Sequence, residues 1–486
     1  MTRTILDCYT DEPSGLGVPP YLGTYPRYLY GALSSENPHY LTIDDVRLWK
    51  FFSSKRRDEE RDKKTRVNVH NLTKNYSSVR EILGHTKELI VVAGIHAPGK
   101  YLSAVPGTLY EIKRLVGDLR CKKILTGPAA SLGTRLEGGK RAERTDVSFF
   151  DEIENNYLGI NEYDRISEYA VKGAGIIRQM PWVPVAEIET ARGCAHGRCS
   201  FCTEPLKHGY EERDTENIID EAVALKGEGI RHFRLGKQSD FFDLSAEKME
   251  GLMAGIREKC APETLHIDNV NPALVTEEKV TLVVRYCTPG NVAALGVESF
   301  DPEVIRENSL NSTPEIVMRA IRLICRLGSG RGDNGLPLFL PGINLLFGLS
   351  GESRKTHMHN MHYLSLMCEE GLMLRRINIR QVTVFPGTPL DRGCGTKYLA
   401  KNRKYYWKWR NEIRQKIDHP MLERVVPKGT LLRNVFAEIY DGNHTFLRQF
   451  GTYPLIVCVE RRIPLRRFYD ISVTGHMLRS ITGKVA

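Results

Sequence analysis

"ARGCAHGRCSFC", residues 191–202, holds three cysteines, Cys194, Cys199 and Cys202, within nine residues, and Phe201 stands directly before the last of them. Just upstream, "PVAEIET" (184–190) is a short, mostly apolar run that reads as a buried β-strand. The C-x4-C-x2-C spacing therefore falls in a loop at the C-terminal end of a strand, where βα architectures hold their ligands. Three chemistries use such a triplet. Structural zinc needs four closed ligands; three thiolates are local here, and His196 inside the loop is the available fourth. A redox CxxC would open a helix in a thioredoxin-like unit and leave Cys194 unexplained. A [4Fe–4S] cluster on three cysteines leaves one iron without a protein ligand, open to a substrate. No second CxxC lies downstream, and the other eight of the eleven cysteines are scattered and read as small buried hydrophobes.

Outward from this loop the sequence alternates strand and helix. "PVAEIET" is followed by "HFRLGKQ" (232–238), "TLHIDNVN" (264–271), "VAALGVES" (292–299), "GINLLFGLS" (342–350) and "INIRQVTVF" (377–385), with amphipathic helical segments between them. Six such repeats predict a partial (β/α)6 barrel over 181–395. Residues 1–150 also alternate, with strands at "RTILDCY", "YLTIDDV", "ELIVVAGI" and "KKILTGP". They predict an N-terminal doubly wound, Rossmann-like sheet whose ligand loops are 10–20, 94–107 and 126–133, all rich in Gly, Pro and small residues. Residues 151–180 read as a linker, and the mixed charge run 53–66 as a solvated segment. The remainder, 396–486, opens on the basic aromatic helix "KYLAKNRKYYWKWRNEIRQKI" (397–417) and continues as a small α+β region with a β-rich cap. The fold class is α/β throughout the first two regions.

The chain's 486 residues exceed one ordinary core, so two or three domains are expected. A net charge of +10 permits an acidic partner, nucleic acid included, without requiring one. No apolar run is long enough to span a membrane, and the start lacks a secretory apolar core, so the expectation is a cytoplasmic protein with no membrane partner.

The loop 191–202 resembles the cluster loop of the radical SAM superfamily, whose usual spacing, C-x3-C-x2-C, is one residue shorter between the first two cysteines. Further resemblances follow in order: "FRLGKQSD" (233–240) after strand two, "GVESFD" (296–301) after strand four, "GINLLFGLSGES" (342–353) on strand five and "VFPGTPL" (384–390) after strand six. The resemblance implies a [4Fe–4S] cluster on Cys194, Cys199 and Cys202. It implies S-adenosylmethionine (SAM) contacts from Phe201, Lys237, Gln238, Asn269, Glu298, Ser299, Gly342, Asn344 and Gly348. A doubly wound domain before such a barrel resembles the cobalamin-dependent class, although the Asp-x-His-x-x-Gly signature is absent. Cobalamin would then be cradled by Thr10, Ser14 and Gly15, by Gly94, His96, Gly99 and Lys100, and by Thr126, Gly127, Ala129 and Ser131.

"GLGVPPYLGTYPRYLYG" (15–31), "LHIDNVNP" (265–272) and "RRINIRQV" (375–382) are similar to an archaeal methanogen subfamily of methyltransferases. One member type methylates a glutamine side-chain carbon of methyl-coenzyme M reductase. That resemblance implies hydrogen abstraction by a 5′-deoxyadenosyl radical and methyl transfer from methylcobalamin. The implied partners are a peptide of the reductase α subunit and a one-electron reductant. Asn271 lies at the end of the third strand, and alternation along the sixth places Arg376, Asn378 and Arg380 on one face, so these four are the candidate substrate-cavity residues. No catalytic residue is assigned.

Two other readings stay open. An RNA-modifying radical SAM enzyme of the methylthiotransferase kind would suit the basic helix and β-rich cap, but such enzymes usually carry a second cysteine triplet, and residues 1–150 hold only Cys8 and Cys121. A non-enzymatic metal-cluster protein would need none of the ordered glycine motifs.

Overall fold

The computed structural model describes residues 2–9, 21–52, 71–94, 105–132, 134–135, 138–181, 185–237 and 240–486. The charge run 53–66 lies outside them.

The N-terminal sheet has the strand order His39–Thr42, Arg3–Asp7, Glu88–Val92, Lys122–Thr126, Glu152–Ile153, all parallel. Glu88–Val92 is buried along its whole length, as expected of a central parallel strand covered on both faces. Strand His39–Thr42 turns directly into helix Ile43–Phe52, and Asp45 makes that turn by accepting from the Thr42 amide at 2.7 Å.

Residues 151–180 are not a linker. Glu152–Ile153 adds the fifth strand of the sheet, and helix Tyr163–Gly173 packs antiparallel-bundle fashion on helix Thr24–Ala32. The helices meet through glycine. A Cβ on Gly31 would lie 1.9 Å from the Tyr169 carbonyl oxygen, and one on Gly173 would lie 2.3 Å from that of Arg27. Neither backbone can retreat without parting the helices, so Gly31→Ala is expected to cost at least about 1–3 kcal/mol in urea unfolding. An unchanged midpoint would show that the contact yields freely.

The six expected barrel strands form in order and run parallel: Val185–Glu189, His232–Gly236, Thr264–Ile267 continued as Asn269–Val270, Asn291–Glu298, Phe339–Phe347 and Arg376–Gln381. The sheet breaks at Asp268, between the two pieces of the third strand. The arc does not close on itself, and the N-terminal region flanks both of its edges. Tyr21–Leu22 pairs with the first strand at Val185 and Ala186. At the other edge, the Gly139 and Ala142 amides donate to the carbonyls of Val382 and Val384 at 2.9 and 2.8 Å. Segments 21–32 and 138–142, counted with the first domain from sequence, thus pack as part of the barrel. Arg27, fully buried, seals this join by pairing with Glu221, which also holds Arg213.

The C-terminal helix Lys397–Ile413 runs on through a wide turn, Arg414–Asp418. The β-rich cap is a closed barrel of five strands, Leu431–Asp441, His444–Arg448, Ile456–Val459, Phe468–His476 and Ile481–Val485. The loop between its second and third strands enters the half-barrel. There the Thr452 amide donates to His266 Nδ1 at 2.9 Å, and the Thr452 hydroxyl donates to the Ile267 carbonyl at 2.7 Å. Among the described residues no helix is long and apolar enough to cross a membrane.

Candidate active site

The cysteine loop follows the first barrel strand and is pinned on three sides. Gly193 has φ 68°, and a Cβ there would strike the Gly209 carbonyl at 2.4 Å. The Ala195 amide donates to Asp243 Oδ2 at 3.3 Å, and Ser200 bonds Asn308 through both its amide and its hydroxyl. Gly197, at φ 57°, lies inside the longer first interval and takes up the extra residue in a left-handed turn. His196 is turned away from the thiols, with its Nε2 2.8 Å from the Ser309 carbonyl oxygen, so it is not placed as a fourth ligand.

The three cysteines are free and half-buried. Burial pushes the Cys199 thiol up to about 12 and the Cys202 thiol up to about 11, and raises Cys194 as well. The Glu204 amide does donate to Cys202 Sγ at 3.4 Å, and Lys207 also favours the Cys202 thiolate, yet burial and the neighbouring thiols and carboxyls outweigh both. A multi-iron cluster supplies the positive charge that keeps thiolates ionised, so the donor set fits a [4Fe–4S] group with one open iron.

The surrounding expected residues divide. Lys237, left-handed at φ 71°, places Nζ 2.8 Å from Glu189 Oε2 and 4.1 Å from the centre of the Tyr25 ring. Glu298, also left-handed at φ 61°, ends the fourth strand; burial raises its carboxyl to about 8 despite Arg380 nearby. Phe201 packs on the apolar cluster that contains Val382 and Leu399. Asn344 and Asn378 face each other on adjacent strands, with the Asn378 amide donating to Asn344 Oδ1 at 3.2 Å. Asn269 Oδ1 accepts from the Tyr453 hydroxyl at 3.4 Å. Gly342 lies lower on the fifth strand, between Ala294 and Arg376.

Three expectations are corrected. Ser299 is buried and its hydroxyl accepts from the Asp301 amide, which builds the turn into the next helix and keeps it out of the mouth. Gly348 faces the C-terminal helix: a Cβ would meet Leu399 at 2.1 Å, and its amide donates to Glu352 at 2.5 Å. Asn271 is spent as a cap, accepting from the Ala273 amide at 3.0 Å. Gln238 lies outside the described residues.

Glu352, beneath Gly348, is a check on this packing. Burial raises its carboxyl to about 7. A raised folded value means stability that is complete below the ordinary value of 4.5 and lost as pH rises through about 7. Glu352→Gln is therefore expected to flatten the fall in melting temperature between those limits; an unaltered profile would place the titration elsewhere.

On the N-terminal sheet, Gly127 takes φ 84°, where a Cβ would lie 2.9 Å from the Ala93 carbonyl oxygen. Thr126 and Ala129 point inward and are buried, so they hold the turn rather than face a ligand. Ser131 is exposed, and Gly94 ends the neighbouring strand's described backbone. Thr10, Ser14, Gly15, His96, Gly99 and Lys100 lie outside the described residues.

Sequence reasoning missed the group that joins the two regions. A cleft open to solvent is lined by Pro128, Ser131 and Asn155 of the N-terminal domain and by Glu189, Arg192, Lys207, His208 and Lys237 of the barrel mouth, next to the cysteine loop. Burial alone would raise the Glu189 carboxyl, but Arg192 and Lys237 outweigh it and hold the group well below the ordinary range. The Tyr163 hydroxyl adds a bond at 3.1 Å. The signal was the charged pair Glu187 and Glu189 inside an otherwise apolar strand.

Residues 188–359 match the Radical SAM superfamily model, so the half-barrel with its cysteine loop is a radical SAM domain, and that domain uses a [4Fe–4S] cluster and SAM. The chain belongs to one family with the uncharacterized protein MJ0274 of Methanocaldococcus jannaschii, 41% identical over 99% of this chain and 92% of that protein. An uncharacterized protein of Archaeoglobus fulgidus is 38% identical over 99% of this chain and 89% of its own. Among solved structures, the radical S-adenosylmethionine methyltransferase TsrM of Kitasatospora setae, with tryptophan and a SAM analogue bound, is similar at a TM-score of 0.53 and 16% identity, over 80% of this chain and 75% of TsrM. The likeness to TsrM is one of fold.

Proposed function

We propose that this radical SAM protein is a cobalamin-dependent methyltransferase that alkylates an unactivated sp3 carbon of a protein side chain, a glutamine of methyl-coenzyme M reductase being the substrate implied by its sequence. The cleft carries the reading: the ligand edge of a doubly wound domain faces the mouth of the half-barrel beside the three cysteines. The fold shared with TsrM supports it, since TsrM has also been solved with cobalamin and a [4Fe–4S] cluster bound.

When bound, the cluster with SAM supplies a carbon radical and cobalamin supplies the methyl group. The chain's own residues place and shield. Cys194, Cys199 and Cys202 would hold the cluster, and Pro128, Ser131 and Asn155 line the side of the cleft where cobalamin would sit. Glu189, fixed by Arg192 and Lys237, keeps the mouth rigid. The carboxamides of Asn344 and Asn378 spend one hydrogen bond on each other and keep further donors and acceptors for the lumen, a match for a substrate amide.

The test is mass spectrometry of a glutamine-containing reductase peptide after anaerobic incubation with reconstituted enzyme, SAM and a one-electron reductant. The account expects one added CH2 on the glutamine carbon chain. Bound cobalamin with no modified peptide would discard this substrate; modified RNA in its place would favour the RNA-directed reading.

A further inference from the structure

Side chains on strands four to six of the half-barrel alternate cleanly. Ile343, Leu345, Ile377 and Ile379 are buried under the helix layer. Their neighbours Gly296, Asn344, Leu346 and Asn378 are only partly covered, and Arg380 is exposed. Because the second set shares the inner face, it is the lumen that reaches solvent. Strand register sets Ala294, Gly342 and Arg376 side by side, with Gly296, Asn344 and Asn378 in the next row. A Cβ added at Gly296 would meet only the Glu298 carboxylate, at 3.6 Å. Gly296 therefore leaves room at this level, whereas at Gly342, one row below, a Cβ would already meet the Val292 side chain at 3.0 Å.

That room is lined by guanidinium groups with unused donors. Among the described residues, Arg376 and Arg380 make no hydrogen bond and no ion pair; Arg376 lies 4.2 Å from the centre of the Tyr453 ring. Glu298 lies near Arg380, but among the described residues no hydrogen bond or ion pair joins them, and the other carboxylates of this wall are engaged. Asp268 is paired with Arg234 and accepts from the Tyr453 hydroxyl at 3.1 Å. Asp418 is shared by Arg414 and, at 3.9 Å, by Arg479. Arg375 donates to the Tyr453 carbonyl at 2.9 Å. Burial and the neighbouring guanidiniums lower Arg376 to about 10, the mark of positive charge gathered without its counter-charge. Tyr453 itself is held left-handed at φ 53°, so the C-terminal barrel braces this wall at some cost in backbone strain.

Resting on the peptide-methyltransferase reading above, we propose that Arg376 and Arg380 form an oxyanion subsite in the lumen that binds the carboxylate of an acidic residue near the modified side chain. Arginine's planar fork suits a carboxylate, and no neutral partner would use the paired charge.

The test is fluorescence anisotropy with full-length reconstituted enzyme, without reductant so that no turnover occurs. Two labelled glutamine peptides are compared, one with a flanking Asp and one with Asn in its place. The acidic peptide is expected to bind on the order of tenfold more tightly. Arg380→Gln, and independently Arg376→Gln, should erase that difference. Equal affinities for the two peptides, or variants that leave the preference intact, would overturn the subsite. So would displacement of both peptides by a short oligoribonucleotide with no preference for Asp, which would assign the charge to phosphate. The preference is read without methylation, so its loss and a failure of the methyltransferase reading are separate results.

Discussion

Cys199→Ser is expected to abolish SAM cleavage. Cys199 lies deep in the loop, and burial disfavours its thiolate until iron is bound. Partners that merely support a metal ligand typically contribute 10- to 100-fold, so removal of a ligand should lower 5′-deoxyadenosine formation by more than about 100-fold. The same variant should lose the cluster's visible absorption while keeping its far-ultraviolet dichroism, because the loop is anchored by Ser200, Asn308 and Asp243, not by the thiols. A variant that keeps its cluster and turns over would show that the open iron is held by other groups.

Arg234→Met should be the most destabilising single change in the barrel. Arg234 is fully buried and pairs with Glu187 at 2.7 Å and with Asp268. Methionine fills much of the volume but leaves two buried carboxylates with no cation between them. Breaking a buried pair from one side costs about 3–5 kcal/mol, and here two carboxylates lose the same cation. Denaturant unfolding should show a loss of at least that size. The double change Arg234→Met with Glu187→Gln should recover part of it, because one of the two buried negative charges is removed. No recovery would mean that Asp268 alone sets the penalty.

The sequence was most legible where one physical pattern dominates. The six barrel strands are short apolar runs, and the helices between them carry period-3.6 apolar faces, so both fell close to their expected limits. The cysteine triplet was legible because few chemistries use that spacing after a strand. Alternation put Arg376, Asn378 and Arg380 on one face, and the apolar Ile377 and Ile379 between them, buried in the structure, turned that face inward.

What failed depended on partners distant in sequence. Ser299, Gly348 and Asn271 sit inside motifs that resemble cofactor contacts, but each is occupied by its local turn or by helix packing that only the fold reveals. Residues 151–180 read as a linker because polar residues dominate them, although Ile166 and Ala170 sit at helical spacing on a buried face. The union of Glu189 with Arg192, Lys237 and Tyr163 draws on residues from separate segments of the chain, and Tyr453 enters the lumen from a loop more than 70 residues beyond the sixth strand. Periodicity carries no information about such meetings.

The central claim is that cobalamin and the SAM-cleaving cluster face one another across the cleft at Ser131, Glu189 and Lys237. It is tested most directly by anaerobic reconstitution of the full chain with iron, sulfide and hydroxocobalamin, followed by gel filtration and optical spectroscopy. SAM and a reductant are then added. The account predicts co-elution of a cobalamin spectrum with the cluster, and formation of both 5′-deoxyadenosine and S-adenosylhomocysteine. Deoxyadenosine formed by a chain that retains no cobalamin would contradict it, and would leave the N-terminal sheet a substrate-handling domain beside an ordinary radical SAM barrel.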